Sequence, residues 1–195
     1  MTTALAFGRS RRVIRPAVIL AGLPVVVALR WAATVSGAAG AIAIGWAFGG
    51  ALLAVALGGG RRPASARPSS IAIGVVGGAV LVLMAAVTRA VVAPSLAPAV
   101  EFGPWAAVTV LVAGAEEVVL RGALFDALDR TLGVAGAVLL TCVVFALMHV
   151  PLYGWHVVPL DLGVGLWLAG LRLASGGIAA PAMAHVIADL ATWWL

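Results

Sequence analysis

Two adjacent carboxylates, an arginine, two histidines and a further acid stand at four-residue spacings inside apolar stretches of this chain. They form three short motifs, Glu116-Glu117-x-x-x-Arg121, Phe145-x-x-x-His149 and His185-x-x-x-Asp189. An ionisable group in hydrocarbon is costly, so it normally faces a bundle interior or a water-filled cavity and marks function. Brought together, these groups supply a base, a cation and two imidazoles, most of what hydrolysis of an acyl bond requires.

Each motif has a local reading. On a helix, Glu117 and Arg121 share a face and pair, which lowers the cost of burying both. Glu116 is turned about 100° away, and no cation lies three or four residues from it. A carboxylate left free in a low-dielectric site suits a general base. An inert ion pair locking two helices explains Glu117 and Arg121 equally well, but leaves Glu116 without a reason. His149 shares a face with Phe145 near a helix end, where a histidine by itself reads as capped or solvated. Asp189 lies one turn from His185, where it orients the imidazole, holds it protonated, or forms an interhelical clamp with it. His156, beside Trp155, reads as an interfacial residue. Asp161 has no partner within a turn.

Glu116, His149 and His185 are also the residue types of a catalytic zinc site. The HExxH spacing is absent, and the ligands would come from three separate helices. A water-only site without cofactor is the favoured reading, with zinc as the alternative. Cys142 is the single cysteine. It permits no intrachain disulfide and reads as buried packing in an apolar run.

The elements that must position these residues are membrane helices. The 195 residues are 64% hydrophobic and 10% charged, with mean hydropathy +1.17, against roughly 25% charged residues in a soluble domain. The expected fold is all-α, a polytopic bundle of about seven spanning helices. The predicted spans are 16–35, 37–57, 71–93, 105–128, 132–150, 157–175 and 178–195. The division falls between residues 1–104, holding the first three helices, and 105–195, holding the three motifs in the last four. The Gly-, Arg-, Pro- and Ser-rich segment 58–70 is the main loop, and 94–104 a second break. Ser10-Arg11-Arg12 resembles a twin-arginine signal, but the run beyond it continues into more membrane sequence, so a retained first helix is expected.

Every basic residue is arginine, and the net charge is +5. Arg9, Arg11, Arg12, Arg15, Arg61, Arg62, Arg67, Arg130 and Arg172 fall on one side when the N-terminus is cytoplasmic, as the positive-inside rule requires. Arg30 and Arg89 fall toward the other side and are expected to snorkel to the interface. Trp193-Trp194 would join the outer aromatic belt. This dispersed charge excludes a nucleic-acid surface, which needs clustered, solvated cations. The expected location is the cell membrane, as a multi-pass protein.

The three motifs, in this order and spacing, resemble those of the CPBP family of CAAX proteases and bacteriocin-processing enzymes. That family includes type II CAAX prenyl proteases and bacterial lysostaphin-resistance-type proteins. The segment Gly176-Gly177-Ile178 to Ala182 resembles the family's small-residue approach to its last motif. The resemblance covers about 105–195 and leaves the first three helices generic. It implies an intramembrane endopeptidase. Glu116 and His149 would position and deprotonate the attacking water, while His185 and Asp189 would stabilise the oxyanion. Glu117, Arg121 and Phe145 would orient them. Asp189 departs from the asparagine of the prenyl proteases. An ionised aspartate accepts hydrogen bonds and donates none, so it acts either when protonated or by holding His185. All-arginine, Ala/Gly-rich usage suggests a GC-rich bacterium. The expected partner is a peptide precursor or membrane-protein segment in the lipid bilayer, rather than a prenylated CAAX protein. A catalytically silent scaffold of the same family and a proton-coupled transporter are the rival functions. The transporter is disfavoured by the lack of inverted repeats and broken helices.

Overall fold

A computed structural model describes residues 15–37, 39–60, 67–91 and 101–195. Arg9, Arg11, Arg12, the twin-arginine-like segment, Arg61, Arg62 and most of the break at 94–104 lie outside these residues. The side chain of Arg89 does too. The described chain is all-helical. The helices are α1 (Pro16–Ser36), α2 (Ala41–Gly58), α3 (Pro68–Val91), α4 (Phe102–Glu117), α5 (Phe125–Tyr153), α6 (Val158–Ser175) and α7 (Ala179–Ala191). A π-helical segment, Val118–Leu124, joins α4 to α5, and a single 3-10 turn, Trp155–Val157, leads into α6.

Five of these helical stretches are long and apolar enough to cross a bilayer, where about seven spans are expected from sequence. The difference has two causes. The predicted fourth and fifth spans form one stretch, Phe102–Tyr153, 52 residues long. It bends at Gly133, whose φ of 71° and ψ of 174° are not helical. Only glycine adopts such a conformation cheaply. The last helix, α7, has 13 residues, short of the roughly 20 that span a hydrocarbon core.

Small residues set the packing. In lipid, helices gain little from apolar burial against one another and rely on close backbone approach. Gly74 and Gly78 of α3 face Ala180, Ala184 and Ile187 of α7 so closely that a Cβ at either would clash. Trp167 Nε1 of α6 donates to the Gly77 carbonyl at 3.1 Å, tying α6 to the same helix. Ile19, Leu52, Val119, Leu120 and Leu168 are fully buried in the centre. Leu29, Val35, Val76, Leu83, Leu139 and Leu166 point outward, as a bilayer solvent allows.

The start of α4 and the end of the chain share one end of the bundle. Trp193 lies 5.1 Å from Phe102 and 4.9 Å from Trp105, ring centre to ring centre. Trp194 lies 5.3 Å from Phe102. An aromatic cluster at one end matches the belt expected there. α4 and α7 therefore run antiparallel, bringing the first motif alongside the third.

Candidate active site

The π-helical segment begins directly after Glu117. Such segments are rare and concentrate at functional sites, because widening a turn redirects a side chain and frees backbone carbonyls. Here it contains Arg121, fully buried with Glu117. Arg121 Nη1 donates to Glu117 Oε1 at 2.8 Å, so the pairing expected from spacing is made. The other guanidinium arm, Nη2, donates to the Gly165 carbonyl of α6 at 3.1 Å. A Cβ on Gly165 would press against the Cys142 backbone at 3.2 Å, so this approach needs glycine. Cys142 is buried there, as packing. The plane of Arg121 also lies 4.6 Å over the Phe145 ring, a cation–π contact.

Glu117 Oε1 receives a second donor, His185 Nδ1, at 3.0 Å. His185 is therefore fixed across the bundle by Glu117. Asp189, expected to hold it, has Oδ2 3.6 Å from Nε2, beyond hydrogen-bonding distance. Because Glu117 can only accept, the proton sits on Nδ1, and Nε2 is the edge left for chemistry. His149 is held in the same sense. Its Nδ1 faces the Phe145 carbonyl at 2.9 Å and Asp161 Oδ2 at 3.4 Å. Both are acceptors, so Nδ1 again carries the proton. Asp161, unpartnered within its own helix, thus finds its neighbour in α5.

Phe145 separates the two imidazoles. Its ring centre lies 4.8 Å from that of His149 and 5.5 Å from that of His185, both edge-on. The three rings line a cavity of about 600 Å³ together with Tyr153, Asp161 and Asp189. His156 is exposed on the 3-10 turn and takes no part.

Glu116 is buried, only 2% exposed, and is not among the residues lining the cavity. His185 and Asp189 lie within its electrostatic reach. Two expectations are corrected here. Glu116 is not unpaired, since Arg30 of α1 places Nη1 3.7 Å from its Oε1. Nor does Arg30 snorkel to the interface. It turns inward and lies 4.2 Å over the Phe48 ring of α2. The generic first helix therefore supplies a charge to the first motif.

Arg172 is the other residue that sequence reading undervalued, as a marker of orientation only. Its Nε donates to the Arg121 carbonyl inside the π-helical segment at 3.0 Å. Its Nη2 meets Asp126 Oδ1 at 3.2 Å. Its signal in the sequence was only a cation inside an apolar helix.

Among the described residues, no three of the His, Cys, Asp and Glu side chains form a ligand set. A guanidinium beside Glu116 also opposes a second cation there.

Residues 98–191 match the family model described as type II CAAX prenyl endopeptidase Rce1-like. Neither the curated proteins nor the solved structures searched give a match to the chain. The matched segment contains all three motifs and both cavity-lining histidines, whereas Arg30 and Phe48 lie outside it. Over this segment, which holds the three motifs, the chain is similar to the CAAX prenyl endopeptidases.

Proposed function

We propose that the protein is an intramembrane endopeptidase that cleaves a peptide bond with water activated at Glu116. The observation that carries this reading is the pair of imidazoles flanking Phe145 on one cavity wall. Each is anchored through Nδ1, and each keeps Nε2 available. In the first step Glu116 takes a proton from water as the water oxygen bonds to the scissile carbonyl carbon. Unprotonated Nε2 of His149 accepts the other water hydrogen and aligns the attack. His185 lies between the carboxylates of Glu117 and Asp189, which favour its protonated form. Nε2–H of that form donates to the developing oxyanion. The C–N bond then breaks as Glu116 returns its proton to the leaving amine. Asp189 acts through His185, or donates directly when protonated.

The substrate proposed is an extended segment of a precursor peptide or membrane protein. The apolar residues Leu81, Met84 and Val164 also line the cavity and suit an apolar side chain. The prenyl group in the family's description is a competing choice of substrate. The proposed location is the cell membrane, with the N-terminus cytoplasmic. The test compares peptide termini in membranes from cells making either the native chain or Glu116→Ala. New termini that depend on Glu116 support the protease. Identical termini, with the cellular role retained, would instead identify a scaffold.

A water-only site leads to a further expectation. Chelation should leave turnover unchanged, and Asp189→Asn should keep much of it, since asparagine accepts and also donates. Stoichiometric zinc in purified protein, with activity lost on chelation and restored by zinc, would overturn the water-only site.

A further inference from the structure

We infer that Arg30, in the helix farthest from the matched segment, is a positioning residue for Glu116. The inference rests on the reading of Glu116 as the base. Three observations support it. Glu116 is almost completely buried, where a carboxylate without a counter-charge is strongly disfavoured. Arg30 approaches to 3.7 Å, beyond a direct hydrogen bond but well within Coulomb range. Phe48 lies under the guanidinium at 4.2 Å, fixing its direction by a cation–π contact.

The length of this contact matters. A direct charge-assisted hydrogen bond, such as Arg121 Nη1 makes with Glu117 Oε1 at 2.8 Å, ties up the carboxylate oxygen that receives it. A cation held one step farther away attracts the carboxylate without binding it and leaves its oxygens able to accept from water. The adjacent carboxylates thus have different partners. Glu117 is tied to Arg121 and His185 and serves as an anchor. Glu116 is countered at longer range by Arg30 and His185 and remains available. The groups facing Glu116 are Arg30 from α1, Glu117 on its own helix, and His185 and Asp189 from α7. Without Arg30, the balance around Glu116 shifts toward negative charge, which opposes the ionised carboxylate that the first step requires. A protonated carboxyl cannot accept a proton from water.

The experiment uses the full chain in bilayer nanodiscs. The probe is a fluorogenic peptide spanning a Glu116-dependent cleavage point found in membranes. Arg30→Met keeps the length and apolar packing but removes the charge. It should lower kcat roughly tenfold to a hundredfold, with KM nearly unchanged because Arg30 does not line the cavity. Arg30→Lys, which restores a cation, should recover most of kcat. In a Glu116→Gln background Arg30→Met should have no further effect. Wild-type kcat in Arg30→Met would overturn the inference, as would folded Arg30→Lys no better than Arg30→Met. So would additive losses in the double variant. If Arg30→Met fails to fold, the kcat of Arg30→Lys and of Arg30→Gln decides instead, with only the lysine variant expected to be active. Full turnover in Glu116→Gln alone is a different result. It removes the assignment of the base, and this inference with it.

Discussion

Replacing Glu116 with glutamine is expected to reduce peptide-bond hydrolysis by roughly a hundredfold to ten-thousandfold, the usual contribution of a positioned base. The amount of folded protein should not fall. Glutamine has nearly the same shape, and it relieves the burial of a charge rather than creating one. Arg30 then loses its counter-charge, but it is partly exposed and can turn toward the interface. Loss of activity therefore separates from loss of structure. Initial rates on purified, monodisperse protein, with thermal unfolding measured alongside, check the point. Normal rates would falsify the base assignment.

Arg121→Ala is expected to act on the other side of that division. Arg121 is fully buried and holds Glu117, the Gly165 carbonyl and the face of Phe145 at once. Removing it leaves a carboxylate buried beside a neutral cavity. Stranding one member of a buried ion pair typically costs about 3–5 kcal/mol, a large part of the stability of a small fold. The yield of folded protein should drop sharply in size-exclusion profiles of detergent extracts. Arg121→Lys should recover little, since one ammonium cannot serve both Glu117 and Gly165 with the geometry of a planar fork. Wild-type yields and melting temperature in Arg121→Ala would show that the pair is dispensable.

These two outcomes also mark what could be read from sequence. Apolar runs located the helices within a few residues, because hydrocarbon tolerates little else. Spacing of four foretold the Glu117–Arg121 pair because both lie on one helix. The same reasoning found one charged neighbour of His185 and missed its hydrogen-bond partner. Asp189 is its visible neighbour along the helix, whereas Glu117, which holds it, lies on a different one. Arg30 and Asp161 were opaque for the same reason. Their partners, Glu116 and His149, are set by how helices pack, and periodicity along a single helix carries no such information. The break between the predicted fourth and fifth spans was legible as well, since the chain leaves helical geometry at Gly133. The widened turn after Glu117 was not foreseen, since the arginine and glycine of Val118–Leu124 also fit an ordinary helix.

The partners of the two buried carboxylates also have an order along the chain. Arg30 belongs to the first helix, so it emerges from the ribosome well before Glu116. Arg121 follows Glu117 by four residues and leaves within the same helical turn. Neither carboxylate has to wait in the bilayer for a cation made later. His185, in the last helix, arrives long after the carboxylate it binds. It finds there a carboxylate already neutralised by arginine. Biosynthesis from the N-terminus thus delivers both of these buried carboxylates to a membrane that already holds, or is just receiving, a positive counterpart. The imidazole that completes the cavity docks last, onto a site whose charges are already balanced.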